Sequence, residues 1–148
     1  MNTAKIVLVE DQLIPAYDMK QQLEELGYTV TGVFTDAEDA IAFLEKNKSK
    51  NPFPDVIITD IALGGKMTGF ELFRIVASKY DCEVIITSGL INMKVIDEAL
   101  ATRPAFFLSK PFDICFTHGF LQKAIYERNL QKEITRLKEE IGKLKEQI

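Results

Sequence analysis

Five short apolar runs, each followed by a longer amphipathic stretch, constrain this chain more than any other feature. The runs are Lys5–Val9, Thr29–Phe34, Val56–Thr59, Val84–Thr87 and Ala105–Leu108, all rich in β-branched or aromatic residues. Three of them are almost continuously apolar, as strands buried on both faces of a parallel sheet must be. Between them, Leu13–Leu26, Asp36–Asn47, Gly69–Lys79 and Asn92–Thr102 repeat their apolar residues every three or four positions, the period of an amphipathic helix. Gly27 closes the first helical pattern, and Asn51-Pro52-Phe53-Pro54 is a clear break. Such alternation predicts an α/β domain, doubly wound around a five-stranded parallel sheet with right-handed crossovers. Ligands in such sheets bind beyond the carboxyl ends of the strands, where the strand order reverses.

Four of the five strands deliver polar groups to that edge. Glu10 and Asp11 follow the first strand, Asp60 the third, Thr87, Ser88 and Gly89 the fourth, and Lys110-Pro111-Phe112 the fifth; the second delivers none. Carboxylates a few ångströms apart repel, so either their pKa values rise or a cation neutralises them. A hard divalent ion with oxygen ligands answers that need, and Mg²⁺ is the natural choice. An ammonium from Lys110 and a hydroxyl from Ser88 add what phosphoryl transfer requires, with one carboxylate as the nucleophile.

These motifs resemble the receiver domain of two-component response regulators. Glu10-Asp11 after the first strand, Asp60 after VIIT, Ser88-Gly89 after the next VIIT, and Leu108-Ser109-Lys110-Pro111-Phe112 match in order and spacing over about residues 4–125. The resemblance implies a flavodoxin-like receiver fold with Asp60 as phosphoacceptor, Asp11 as direct Mg²⁺ ligand and Glu10 acting mainly through water. The backbone carbonyl of Ala62 would complete the protein's share of the ligands. It places Ser88 and Lys110 around the phosphoryl oxygens, Ser88 rather than Thr87 because Lys110 follows it by 22 residues and Gly89 is small. Phe107 falls at the family's aromatic switch position, with a plain core aromatic as the rival reading. A cis Lys110-Pro111 bond, a phosphohistidine donor on a sensor histidine kinase or phosphotransfer protein, and a signalling rather than enzymatic role follow from the same resemblance. Ala62 and Leu90, both apolar, flank the family's path of attacking water, which implies a long-lived phosphorylated state. The rival class is a Mg²⁺-dependent phosphatase of the haloacid dehalogenase type; it wants a second aspartate where Ala62 stands. A scaffold with a vestigial site is a third possibility.

The remaining features are plainer. Net charge is −4, which offers no basic surface for nucleic acid. No apolar run reaches the ~18 residues of a membrane span and Met1–Lys5 does not open a signal peptide, so a cytoplasmic protein is expected. Cys82 and Cys115 have no metal-ligand spacing and are expected to be buried, reduced thiols. His118 reads as structural or surface, and Gly64-Gly65 as a flexible loop beside the site.

After Phe112 the pattern is helical to the last residue. Residues 1–125 form the expected phosphoacceptor domain and 126–148 a helical extension. In the extension Leu130, Ile134, Leu137, Ile141, Leu144 and Ile148 alternate four and three apart, with Ile at position a and Leu at d of a heptad. That combination favours a parallel two-stranded coiled coil. Glu133 and Glu140 then face Lys138 and Lys145 of a partner copy, so a parallel homodimer is expected. A seam this short is marginal by itself, so either the domains assist or the coil continues into an output domain.

Overall fold

The computed structural model describes residues 4–50, 52–89, 92–102, 106–110 and 113–148, without the side chain of Phe106. Five strands, β1 (Lys5–Val9), β2 (Thr29–Phe34), β3 (Val56–Asp60), β4 (Glu83–Ser88) and β5 (Phe106–Ser109), alternate with five helices, α1 (Leu13–Glu25), α2 (Ala37–Asn47), α3 (Gly69–Lys79), α4 (Met93–Thr102) and α5 (Ile114–Glu146). All pairings are parallel, in the order β2-β1-β3-β4-β5, which is the flavodoxin-like doubly wound arrangement. The order reverses between β1 and β3, so the strand ends carrying Glu10 and Asp60 lie side by side at the switch point.

Period-two alternation divides the core into two layers. Val7, Val9, Ile57, Val84 and Ile86 pack with Ala40 and Leu44 of α2, Phe70, Leu72 and Val76 of α3, and Ala99 of α4. Ile6, Leu8, Val56, Ile58, Ile85 and Leu108 pack on the opposite face with Leu23 of α1, Tyr28 and Leu121 of α5. The sheet is therefore buried on both sides, as its uninterrupted apolar runs require.

Local chemistry sets the helix starts. Asp36 caps α2 by accepting from Asp39 N at 2.8 Å, and Asp113 caps α5 by accepting from Cys115 N at 2.6 Å. Thr68 caps α3, its Oγ1 accepting from Glu71 N at 3.2 Å. At the end of α1, Gly27 adopts φ 96, which lets Tyr28 N return to Leu23 O at 3.1 Å. His118 is half-buried in α5, its Nδ1 2.8 Å from the Tyr28 hydroxyl, which also accepts from Gln122 at 2.7 Å.

α5 runs unbroken through residue 125, and its burial against the sheet continues to Arg128. The Arg128 guanidinium reaches Asp55 Oδ1 at 3.0 Å and Asp81 O at 2.7 Å. Asp55 in turn accepts from Lys5 N at 2.8 Å, and its carbonyl accepts from Glu83 N at 3.0 Å. One residue, through its carboxylate and its carbonyl, thus ties together the starts of β1 and β4 and the long helix, at the edge of the sheet opposite Asp60. Beyond that clamp Leu130, Ile134, Leu137, Ile141, Leu144 and Ile148 are all exposed.

The expectation of two buried cysteines is corrected. Cys82 is half-buried, but Cys115 is exposed, because it sits in the first turn of α5 on the side turned away from Thr117 and Leu121. The Lys110-Pro111 bond lies outside the described residues, as does Leu90.

Replacing Arg128 by Ala strands Asp55 and Asp81 beside an emptied pocket. It is expected to lower stability by roughly 2–4 kcal/mol, read as a lower urea midpoint with an unchanged slope.

Candidate functional site

Strand register brings the acidic groups together. Val9 pairs with Thr59 and Asp60 with Thr87, so the ends of β1, β3 and β4 are level. By alternation Glu10, Asp60 and Lys110 continue the rows of Leu8, Ile58 and Leu108, and so share the α1/α5 face of the sheet. Oxygen atoms from Glu10, Asp11 and Asp60 all lie within 4.8 Å of one another. Lys110 Nζ sits 2.5 Å from Glu10 Oε2 and 3.0 Å from Asp60 Oδ2. One ammonium among three carboxylates leaves the cluster short of positive charge, and its donors are all hard oxygens. The residues therefore fit a small divalent cation such as Mg²⁺.

The electrostatics follow from burial. Desolvation pushes the Glu10 carboxyl above the ordinary carboxylate range, although Lys110 and the amide of Gln12 pull it back. Burial alone would depress the Lys110 ammonium; the hydrogen bonds and charges of Glu10 and Asp60 overcome it and hold the group above its usual value.

Backbone anchors fix these side chains. Ile61 N donates to Asp60 Oδ1 at 2.8 Å and Gln12 N to Glu10 Oε1 at 3.2 Å. The second strand, expected to supply nothing, holds Glu10 through its main chain: Glu10 N donates to Phe34 O at 2.9 Å. Gly69 serves the end of β3 in a way the sequence pattern did not reveal. A Cβ at Gly69 would stand 2.2 Å from the carbonyl oxygen of Asp60, and Gly69 N donates to Ile61 O at 2.9 Å. A glycine opening the helix after Asp60 was the available signal, since only a residue without a side chain lets α3 approach so closely. Gly64 and Gly65 are more restrained than expected: Gly64 N donates to Thr35 O, and the following amides of Lys66 and Met67 donate to Glu38.

Ser88 and Thr87 are both buried. The Thr87 hydroxyl is directed to Thr59 O at 3.3 Å, whereas Ser88 lines the same crevice as Glu10, Asp60, Ala62 and Lys110. Lys110 N donates to Ser88 O at 2.7 Å. Phe107 pairs with Ile86, so it shares a sheet face with Ser88, and it is half-buried with its ring stacked 6.4 Å from that of Phe70.

Comparison with known proteins agrees with this fold. The family model described as response regulator receiver domain matches residues 6–115. The transcriptional regulatory protein PdtaR of Mycobacterium tuberculosis is 24% identical over 144 residues, covering 97% of this chain and 66% of PdtaR. Chemotaxis protein CheY of Treponema pallidum is 27% identical over 110 residues, covering 74% of each chain. The signal receiver domain of a modulated diguanylate cyclase from Desulfovibrio desulfuricans G20 superposes with a TM-score of 0.78 at 27% identity, covering 88% of this chain and 99% of that one. The chain spans 66% of the length of PdtaR and 43% of the phyllosphere-induced regulator PhyR of Methylorubrum extorquens. Among the described residues no helix is long and apolar enough to cross a membrane.

Two substitutions test the site's construction. Because folding raises the Glu10 pKa, its ionised form opposes folding above about pH 4.5. Glu10→Gln is therefore expected to raise the melting temperature at pH 7, with the gain shrinking as the pH falls through the raised pKa, while weakening Mg²⁺ binding. Gly69→Ala is expected to lower stability by about 1–3 kcal/mol through overpacking against Asp60, measured by urea denaturation.

Proposed function

The chain belongs to the response regulator receiver domain family, and from that premise we propose that Asp60 accepts a phosphoryl group from a phosphohistidine on a sensor kinase or phosphotransfer protein. One observation carries the reading: three carboxylates and one ammonium converge at the strand ends, with Lys110 Nζ 3.0 Å from Asp60 Oδ2. In the transfer an Asp60 carboxylate oxygen bonds to phosphorus as the donor's P–N bond breaks, giving an acyl phosphate. Lys110 remains beside the group and neutralises its equatorial oxygens, and Ser88 donates a hydrogen bond to one of them. Glu10, Asp11, Asp60 and the carbonyl of Ala62 would hold Mg²⁺, which supplies further charge neutralisation when bound.

Recruiting Ser88 toward the phosphoryl group opens space on the face it shares with Phe107, and the Phe107 ring follows. The product is a change of surface, read by a partner, rather than a released chemical. With Ala62 exposed and apolar beside Asp60, attacking water finds no polar group there, so the acyl phosphate persists. The exposed stripe from Leu130 to Ile148 joins two copies as a parallel coiled coil, with Glu133 and Glu140 facing Lys138 and Lys145 of the second chain. In the single chain both glutamates rest on Arg136, at 2.5 Å and 2.7 Å. These pairs are fully exposed and individually weak, so exchanging them for partners across the seam is readily reversible.

Beryllofluoride with Mg²⁺ is expected to bind the wild-type chain and to leave Asp60→Asn unaffected, followed by the near-ultraviolet and NMR signals of Phe107. Equal responses from both proteins would reject Asp60 as acceptor. The phosphorylated chain, made with a small phosphodonor, is expected to decay over many minutes or longer. Decay within seconds would reject the role given to Ala62.

A further inference from the structure

Acceptors in one short stretch, from the end of β2 to the first turn of α2, hold both halves of the acidic site. Phe34 O accepts from Glu10 N at 2.9 Å, which seats the end of β1. Thr35 O accepts from Gly64 N at 3.2 Å, and Asp36 forms a parallel bridge with Gly64. Glu38 Oε1 then accepts from Lys66 N at 3.2 Å and from Met67 N at 3.1 Å. Gly64, Lys66 and Met67 belong to the loop after β3 that also carries Ala62. Its own amide, with those of Lys66 and Met67, holds the Glu38 carboxyl below the ordinary carboxylate range. Gly65, at φ 81, lies so near that a Cβ there would stand 2.5 Å from Glu38 Oε2. Glu38 itself is not one of the converging carboxylates, which are Glu10, Asp11 and Asp60.

We propose that Glu38 is a positioning residue for the cation site: by pinning the loop that carries the Ala62 carbonyl, it makes the site favour Mg²⁺ over larger divalent ions such as Ca²⁺. This rests on the reading of the site given above and deepens it. Mg²⁺ demands a near-ideal octahedron with oxygens at about 2.1 Å, whereas Ca²⁺ accepts looser, larger arrangements at about 2.4 Å. Discrimination between them therefore depends on how little the ligands can move. The carboxylates of Asp60 and Glu10 are anchored by the amides of Ile61 and Gln12. The loop carbonyl is the ligand whose freedom is set from outside the cluster. Ala62 stands two residues before Gly64 and four before Lys66, so a latch at those positions limits its swing. The far end of the loop is tied separately, by Gly69 N to Ile61 O. Removing the Glu38 carboxylate therefore frees the middle of the loop and leaves α3 in place.

The test titrates the full chain with MgCl₂ and, separately, with CaCl₂, followed by NMR. Glu38→Ala is expected to weaken Mg²⁺ binding about tenfold, the scale of loss when a group that orients a metal ligand is removed. Ca²⁺ binding is expected to weaken by less than about threefold. Glu38→Gln loses the charge but keeps an oxygen for both amides, so its preference for Mg²⁺ is expected to stay within about twofold of wild type. Without metal, amide hydrogen exchange at Lys66 and Met67 is expected to quicken about tenfold in Glu38→Ala and to stay near wild type in Glu38→Gln. Circular dichroism reports that the variants fold. Equal losses for the two ions, or a preference that falls as far in Glu38→Gln as in Glu38→Ala, would assign the effect to lost charge and overturn the inference. An unchanged preference in Glu38→Ala would overturn it as well, with the reading of the site intact. A wild-type chain that binds neither ion would overturn that reading and the inference with it.

Discussion

Repulsion among like charges is the constraint around which this molecule is arranged. Glu10, Asp11 and Asp60 converge within 4.8 Å, a grouping that costs stability unless something opposite in charge is held nearby. The sheet provides that counter-charge from its far edge, where β5 ends at Lys110. Lysine there neutralises Glu10 and Asp60 in the single chain, and in the proposed transfer it stays in place to meet the oxygens of the incoming phosphoryl group. The cluster is therefore balanced in part, and the shortfall gives it an appetite for a cation. Desolvation of Glu10 shows the tension directly, since burial and Lys110 pull its ionisation in opposite directions.

The rest of the fold is a means of holding that arrangement still. Parallel pairing aligns the strand ends, alternation sends Glu10, Asp60 and Lys110 to one face, and backbone donors from Ile61 and Gln12 fix the carboxylates. On the other face, Ser88 and Phe107 share a row above the α2–α4 layer. In the proposed switch, a displacement of Ser88 is felt on the side of the sheet opposite the acidic row, so that chemistry on one face is read on the other.

Much of this was legible in the sequence because its physics is local. Apolar runs and helical periods located all five strands and all five helices, and the residues following each strand named Glu10, Asp11, Asp60, Ser88 and Lys110. What escaped depends on distant parts of the chain. Nothing in the pattern around Gly69 says that α3 will pass within a side chain's width of the Asp60 carbonyl. The clamp of Arg128 on Asp55 and Asp81 spans 73 and 47 residues, and a lone arginine on a charged helix carries no mark of burial. Cys115 was misjudged for a related reason: composition favours buried thiols, but only the orientation of α5 decides which side of its first turn meets solvent. The role of β2 was missed because a main-chain carbonyl leaves no trace in residue type.

α5 belongs to both parts of the molecule, with no loop between the segment packed on the sheet and the segment that leaves it. From Arg128 to Ile148 the rod is about 30 Å long. Tilting its base by about 10° would swing the tip by roughly 5 Å, far more than any side-chain movement at the acidic cluster. Helix stiffness then serves as amplification: an adjustment of a fraction of an ångström under the sheet is delivered, magnified and with its direction preserved, to the tip of the lever.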